Sequence, residues 1–221
     1  MDYKAIAEQL GPRVGATQEW VFQVLRQGII NGLIPAGMQL KQDEISAALN
    51  VSHIPVREAL RRLESQGLVT IHPNRGAQVT KLSREILLDM MEVRATLSAM
   101  LLKTSGPRLL EEDYAQLDHI IALQKEEDDP FKNEELNIQF HDVLGSRADN
   151  AVADLLLEIV HANIDRYLRK NLYADQESRN FSIQGHEDIV ACCREGNFEH
   201  ACEILKQHIF DAIVLIPEDL E

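Results

Sequence analysis

Short apolar stretches at helical spacing alternate with turn-forming residues through the first part of the chain. The stretches cover 2–10, 17–31, 42–49 and 54–66, and Gly, Pro or Asn follows each of them closely. This 3.6-residue period predicts four short amphipathic helices. Two runs of β-forming residues come next, at 68–71 and 77–80, with turn-forming residues between them. The two runs are therefore predicted to form one β-hairpin.

After position 83 the helical period continues to the end of the chain without further β-type runs. It predicts six helices, separated by segments rich in Gly, Pro, Asn and Asp, at about 84–104, 111–127, 131–147, 150–171, 176–195 and 198–215. The pattern predicts a mainly α fold with two domains. Residues 1–80 are expected to form an N-terminal winged helix-turn-helix, and residues 81–221 an all-α antiparallel helical bundle.

The charge of the chain is divided unevenly between these two parts. The formal net charge of −14 at first argues against a nucleic-acid partner. Residues 1–80, however, contain eight basic and seven acidic residues, whereas residues 81–221 contain 14 basic and 29 acidic ones. Because the total charge says little about a local surface, the first domain can still present a basic face to DNA.

Three features predict a cytoplasmic protein without a membrane segment. No apolar segment of the kind found in secretory signals follows Met1. No stretch approaches the roughly 18 consecutive apolar residues of a membrane span. The three cysteines, with Cys192 and Cys193 adjacent, form neither a disulfide framework nor a CxxC metal motif, which favours a reducing compartment.

The helix predicted at 54–66 combines an apolar face with a cluster of arginines. Its inward positions are Val56, Ala59, Leu60 and Leu63, and its outward arginines are Arg57, Arg61 and Arg62. In a helix-turn-helix such a second helix enters the major groove, where guanidinium groups bind phosphates or guanine edges through paired hydrogen bonds. The arginines alone are also compatible with an ordinary solvated face.

A more specific indication of function comes from many short stretches between residues 17 and 80, which match one known pattern without insertions or deletions. The stretches are Leu25-Arg26, Ile29-Ile30-Asn31-Gly32, Ile34-Pro35-Ala36-Gly37, Gln39-Leu40, Glu44-Ile45, Leu49-Asn50-Val51-Ser52, Pro55-Val56-Arg57-Glu58-Ala59-Leu60-Arg61-Arg62-Leu63, Gly67-Leu68-Val69 and Arg75-Gly76-Ala77. Together they resemble the winged-helix domain of the GntR family of transcription regulators. The resemblance covers the whole predicted domain and implies that this domain reads an operator.

The resemblance also implies roles for individual residues. Operator bases and phosphates would be contacted at the start of the recognition helix by Ser52, His53, Arg57 and Arg61. Arg26 and Lys41 would hold phosphates, and Gly76 beside Arg75 would let the wing tip enter the minor groove.

The segment Ser52-His53-Ile54 departs from the family, which usually has Ser-Arg-Thr at this place. His53 replaces an arginine that commonly reads a base. We therefore expect a different operator preference, or a lower affinity near neutral pH, where histidine is mostly uncharged.

Three of the eight histidines lie on apolar helix faces of the second domain. His141 shares its face with Asn137, Ile138 and Leu144, His186 with Ile189, Val190 and Cys193, and His208 with Ile204, Leu205 and Ala212. A single histidine on such a face is more often a satisfied core residue than a ligand. Three of them on three helices of one bundle also fit a metal site, because neutral imidazoles on facing helices are common ligands. The residues alone leave both interpretations open.

The second domain carries a resemblance of its own. The matching residues are Glu92-Val93-Arg94-Ala95-Thr96-Leu97, Asn137-Ile138-Gln139-Phe140-His141, Gly185-His186-Glu187-Asp188-Ile189, Gly196-Asn197-Phe198-Glu199-His200-Ala201 and Lys206-Gln207-His208. Residues 84–221 resemble the FCD ligand-binding domain of the FadR-like subgroup of GntR regulators. In its metal-binding members an Asp or Asn stands four residues before the first of three histidines.

By this resemblance Asn137, His141, His186 and His208 would bind one divalent metal ion. Zn²⁺ or Ni²⁺ is the first expectation, and Mn²⁺ is another candidate. Most members have Asp at the first position, so Asn137 implies weaker binding or a different metal.

The resemblance further implies a small carboxylate-type effector that completes the coordination of the metal. Arg94 matches an arginine often found near the effector, although a salt bridge to Glu92 or to a neighbouring helix is an equal alternative. Arg166 and Tyr167 are further candidates for the lining of the cavity. We also expect a homodimer on a palindromic operator, since regulators with one reading head per chain usually pair.

The sequence thus predicts a ligand-responsive DNA-binding transcriptional regulator, with a repressor as the family expectation, and not an enzyme. A metalloenzyme is one alternative, because three histidines and an asparagine around an ion could activate water. No general base or nucleophile stands at motif spacing, however, and the winged helix would be unexplained. The other alternative, an interaction module that no longer binds DNA, is disfavoured by the arginines of the recognition helix.

Overall fold

The computed structural model describes residues 1–13, 15–72, 76–81, 83–168 and 176–215. The chain divides into two compact units, Met1–Leu82 and Ser83–Leu220. Each unit is mainly helical, in agreement with the mainly α fold predicted from the apolar period. No described helix is both long enough and apolar enough to cross a membrane.

The N-terminal unit is a winged helix-turn-helix. Its elements are α1 (Tyr3–Leu10), α2 (Thr17–Ile30), β1 (Gln39–Leu40), α3 (Gln42–Leu49), α4 (His53–Ser65), β2 (Val69–His72) and β3 (Gly76–Val79). The turn between α3 and α4 is made by Asn50, which adopts the left-handed conformation with φ 51° and ends α3. Asparagine tolerates this conformation better than most residues, so it permits the sharp change of direction between the two helices.

The predicted hairpin is present, and a third strand joins it. The antiparallel sheet has the order β1-β3-β2, with Gln39 opposite Gln78 and Val69 opposite Val79. The strand β1 was not predicted, because a strand of two residues is too short to show an apolar period.

The core of the N-terminal unit lies between α4 and its neighbours α2, α3 and β2. The four apolar positions predicted to face inward on α4 are each at most 2% exposed, namely Val56, Ala59, Leu60 and Leu63. The same unit buries further apolar residues, among them Val21, Leu25 and Leu68. Burial of a leucine or valine of this kind contributes about 1.5–3 kcal/mol, so this face holds the recognition helix in place.

Among the described residues, the C-terminal unit has a helix at each of the six places that the sequence predicts, and positions 169–171 of the fourth predicted helix lie outside the described residues. The helices are α5 (Arg84–Ser105), α6 (Glu111–Glu126), α7 (Pro130–Gly145), α8 (Ala151–Leu168), α9 (Gln176–Arg194) and α10 (Phe198–Asp211). The helix α5 packs against α7, α8 and α10. The last predicted helix is shorter than expected, since a 3₁₀ turn over Ala212–Leu215 replaces its final turn.

Polar contacts secure the ends of these helices. Ser83 caps α5 by accepting a hydrogen bond from the backbone N–H of Ile86 at 3.3 Å. The Arg147 guanidinium, just beyond α7, forms two 3.0 Å hydrogen bonds with the carboxylate of Asp113 in the first turn of α6. Asp113 also accepts from the backbone N–H of Leu110 at 2.7 Å, so one carboxylate joins the start of α6 to the end of α7.

Candidate functional site

Three histidines from three helices meet inside the C-terminal unit. His141 comes from α7, His186 from α9 and His208 from α10. Their potential ligand nitrogens all lie within 4.8 Å of one another, and their ring centroids are 4.7–5.6 Å apart. Asn137, one helical turn before His141, is 2% exposed. The structure thus gathers three of the residues predicted to bind metal and places the fourth on the same face of α7.

Burial keeps these imidazoles uncharged. It lowers the pKa of His141 and His186 well below the ordinary value, and the Arg94 guanidinium lowers the pKa of both further. Burial and Arg94 also lower the pKa of His208 to about 3. A neutral imidazole has a free lone pair on one nitrogen, which is the form that binds metal ions.

Gln124 of α6 orients the ring of His186. The Gln124 side chain is fully buried, and its Oε1 lies 2.9 Å from Nδ1 of His186. Because Oε1 can only accept, Nδ1 carries the proton and Nε2 carries the free lone pair. That Nε2 is buried and has no hydrogen-bond partner among the described residues. Phe140 stacks on a face of the ring, with centroids 3.9 Å apart, and further restricts it.

The donor atoms fit a divalent transition metal ion. Both ring nitrogens of His141, Nε2 of His186 and Oδ1 of Asn137 are buried without a partner in the part of the chain that the structure describes. An unsatisfied buried polar atom costs about 1–3 kcal/mol, and here several of them converge. Two nitrogens bound to one tetrahedral zinc ion lie about 3.4 Å apart, so the three imidazoles would move closer together to bind it.

Arg94 of α5 lies close enough to influence all of these histidines electrostatically. It is only 4% exposed, and its Nε has no partner within the described segments. The salt bridge to Glu92 that the sequence left open is not found among the described residues. A buried guanidinium beside uncharged imidazoles is suited to bind an anionic group.

Two residues predicted to line the cavity lie near the end of α8. Arg166 is 9% exposed, and its guanidinium carbon is 5.1 Å from the centroid of the Tyr167 ring. Its three guanidinium nitrogens have no hydrogen-bond partner among the residues described.

Sequence reasoning did not single out three polar residues near the site, of which Gln124 and Glu134 are buried and His161 is half-buried. Gln124 orients His186, Glu134 contacts Asn137, and His161 of α8 is electrostatically coupled to Arg94 and His141. Burial and Arg94 lower the pKa of His161 to about 3. The only signal in the sequence was that polar residues occur at positions where the helical period favours apolar ones, as for Gln124 after Leu117, Ile120 and Ile121.

The second candidate site is the start of the recognition helix α4. Ser52 and His53 are exposed, and the side chains of Arg57 and Arg61 are 54% and 62% exposed. Both arginines lie 3.5–3.7 Å from the carboxylate of Glu58, an exposed ion pair that is easily exchanged for phosphate contacts. His53 Nδ1 lies 3.5 Å from Asp43 of α3.

Arg62 does not share this arrangement, although the sequence placed it with the arginines free to face DNA. It forms an ion pair with Glu19 of α2, and its guanidinium carbon lies 3.8 Å above the ring of Phe22. These contacts come from a helix 40 residues earlier in the chain and give Arg62 a packing role between α2 and α4.

The remaining residues predicted to contact DNA lie elsewhere in the unit. Arg26 is half-buried on α2, and Lys41 is exposed and bound to Glu44 at 2.8 Å. Gly76 begins β3 with φ 80°, and a Cβ added there would lie 3.1 Å from the backbone oxygen of Leu40. Glycine is therefore required by the backbone at this position. Arg75 lies outside the described residues.

Comparison with known proteins agrees with this architecture. Residues 17–79 match the model of the gntR family of bacterial regulatory proteins, and residues 89–211 match that of the FCD domain. The transcriptional repressor RspR of Escherichia coli K12 is 27% identical over 209 residues, which cover 92% of this chain and 90% of RspR. The Nta operon transcriptional regulator of Aminobacter aminovorans is 28% identical, over 81% of this chain and 86% of that protein.

Solved structures give the same result. A GntR family transcriptional regulator from Pseudomonas syringae is 28% identical, with a TM-score of 0.53 over 97% of this chain and 93% of that one. The fold of E. coli McbR/YncC matches with a TM-score of 0.74 at 19% identity, over 91% of this chain and 97% of that one. The chain therefore belongs to the gntR family of bacterial regulatory proteins, carries an FCD domain, and is a DNA-binding transcriptional regulator rather than an enzyme.

Proposed function

We propose that this regulator is an operator-binding repressor whose DNA affinity is controlled by a small organic acid, bound together with a divalent metal ion in the C-terminal unit. The observation that carries this proposal is the cluster of His141, His186 and the half-buried His208, whose ligand nitrogens lie within 4.8 Å of one another. A relative named as a transcriptional repressor, 27% identical over nearly the whole chain, supports the repressor assignment.

Different residues of the chain would bind the metal ion and the effector. The three imidazoles and the Asn137 oxygen would hold the metal ion, for which Zn²⁺ and Ni²⁺ are the first candidates and Mn²⁺ another. When bound, the ion supplies positive charge that attracts a carboxylate. Arg94 would donate hydrogen bonds to the same carboxylate, since its guanidinium is buried and electrostatically coupled to the cluster. Arg166 and Tyr167 remain candidates for contacts with the rest of the effector.

Binding at this place would tighten contacts among several helices. The cluster joins α7, α9 and α10, and Arg94 adds α5, which packs against α7 and α10. The helix α5 begins at Arg84, a few residues after the wing in the chain. A change in its position would therefore be transmitted to the DNA-binding unit, provided that the effector binds the two states unequally.

The metal-dependent part of this proposal is tested by the His141→Ala/His208→Ala double variant. We expect the wild type to hold about one metal ion per chain after reconstitution and the double variant to hold none, as measured by elemental analysis. Operator binding by the double variant should no longer respond to the effector. The matched control is His119→Ala/His200→Ala, which replaces two exposed histidines of the same unit. A wild type that binds no metal, or a double variant that still responds, would refute the metal-controlled switch.

We further propose that the operator is contacted by the exposed start of α4 and by the wing. The residues concerned are Ser52, His53, Arg57, Arg61, Arg26, Lys41, Arg75 and Gly76. The exposure of Arg57 and Arg61 supports this, because an exposed guanidinium can form paired hydrogen bonds with phosphates or guanine edges. A gel shift with random DNA fragments, followed by sequencing of the retained fragments, identifies the operator. If the retained fragments shared no common sequence, specific operator binding would be contradicted.

We also propose that two chains pair through their C-terminal units to read a palindromic operator. Large apolar side chains are exposed on α5 and on α8, which pack against each other. They are Val93, Met100, Val152, Leu155 and Leu156, each between 43% and 69% exposed. A second copy of the chain would cover them, as apolar surface of this kind is typical of interfaces. Light scattering should show a dimer for wild type and a monomer for Leu155→Asp, whereas an unchanged mass for the variant would contradict this interface.

A further inference from the structure

A buried carboxylate lies next to Asn137 on α7. Glu134, one helical turn earlier, is 2% exposed. Its Oε1 and Oε2 lie 3.4 Å and 3.3 Å from Nδ2 of Asn137. A carboxylate only accepts hydrogen bonds, so the amide group of Asn137 must turn its NH₂ towards Glu134.

This contact decides which atom of Asn137 faces away from Glu134. The amide oxygen, Oδ1, is buried and has no hydrogen-bond partner within the described residues. It shares a helix face with His141, one turn further along. An amide nitrogen has no lone pair available for a metal ion, so the site works only when the oxygen points into it.

We propose that Glu134 is a positioning residue that holds the Asn137 amide with its oxygen presented to the three-histidine cluster. This inference rests on the proposed metal-binding function. Glu134 itself is not one of the described residues whose ligand atoms gather within 4.8 Å, so it acts through Asn137 and not as a ligand. Neighbours that orient ligands in this way typically contribute 10–100-fold to metal affinity.

Glu134 also compensates for the missing charge of the ligand. An aspartate at position 137 would bring its own negative charge to the ion, whereas asparagine brings none. The Glu134 carboxylate supplies negative charge one contact further out and polarises the amide, which makes Oδ1 a stronger donor. Two carboxylates at positions 134 and 137 would instead repel each other in a buried place. The pair of Glu134 and Asn137 is therefore expected to function as a unit.

The first test compares Glu134→Gln with Glu135→Gln in the full-length, metal-free protein. Glu135 is exposed on the same helix and provides a matched loss of one carboxylate. Zn²⁺ is titrated in competition with a chromogenic chelator. We expect Glu134→Gln to weaken Zn²⁺ binding about tenfold or more, because a glutamine can also turn its NH₂ to Asn137 and release the amide orientation. Glu135→Gln should stay within about twofold of wild type.

The second test separates positioning from a purely structural role. Asn137→Asp has two equivalent oxygens and needs no orientation, but it should lower the melting temperature of the metal-free protein through repulsion by Glu134. Adding Glu134→Gln to this variant should restore the melting temperature and at least maintain Zn²⁺ affinity. Glu134→Gln would thus weaken metal binding when position 137 is asparagine but not when it is aspartate. If Glu134 only supported the fold, its replacement would weaken metal binding in both proteins.

The outcomes distinguish a failure of the proposed metal site from a failure of the role proposed for Glu134. If the wild type binds no Zn²⁺, the proposed metal site and this inference both fail. If the wild type binds Zn²⁺ and Glu134→Gln equals Glu135→Gln, the proposed function stands and the role of Glu134 is wrong. A Glu134→Gln variant that weakens binding equally with and without Asn137→Asp also overturns it.

Discussion

Mild acid should destabilise the metal-free protein, because buried histidines of the C-terminal unit resist protonation. His161 and His208 each have a pKa lowered from 6.5 to about 3 by burial and by Arg94. In the unfolded chain the same groups take up protons as the pH falls through about 6.5. The unfolded state then binds more protons than the folded state, so stability is complete above pH 6.5 and is lost progressively as the pH falls from there towards 3.

The size of the effect follows from the shift in pKa. Relative to neutral pH, one such histidine lowers the free energy of unfolding by about 1.4 kcal/mol at about pH 5.5. His161 and His208 together would remove about 3 kcal/mol, a large part of the ~5–15 kcal/mol that stabilises a typical domain. Because most carboxylates remain ionised at this pH, the loss is dominated by imidazoles. His141 and His186 are shifted in the same direction and should add to it.

Urea unfolding followed by circular dichroism, with EDTA present and at several pH values between about 7.5 and 5.5, measures this loss. His161→Gln removes one titrating group outside the three-histidine cluster and should reduce the pH-dependent change by about 1.4 kcal/mol. His119→Gln, which removes an exposed imidazole of the same unit, provides the matched control. A free energy of unfolding that is flat over this range, or the same slope for His161→Gln and wild type, would refute the reasoning.

Three further substitutions have definite expected outcomes. Arg57→Ala should weaken specific operator binding by about 1–3 kcal/mol in a fluorescence anisotropy titration, and unchanged affinity would remove Arg57 from the interface. Gly185→Ala should lower Zn²⁺ affinity despite the better helix propensity of alanine, since the new Cβ would lie 2.5 Å from Nδ1 of His208. Gly76→Val should lose about 1–3 kcal/mol of stability from its positive φ and also weaken operator binding, whereas wild-type melting temperature and affinity would contradict both effects.

The periodic pattern of apolar residues was sufficient to predict most of the architecture. It predicted the helices of both units and the buried face of α4, because helical amphipathicity is a local property that repeats every few residues. It also indicated that His141, His186 and His208 face inward from their helices. It contained no information on the two-residue strand β1, which exists only because β3 lies beside it.

Partners that are distant in the chain were decided by tertiary packing alone. Arg62 looked like a DNA contact until α2 brought Glu19 and Phe22 against it. His186 and Gln124 are 62 positions apart, and no local pattern relates them. The helical period of apolar residues indicates which side of a helix is buried. Which residue a buried side chain contacts there depends on how all the helices pack. The sequence by itself therefore determined the helices and their buried faces, whereas only the tertiary structure determined which polar groups meet inside them and which nitrogen of a histidine is left to bind a ligand.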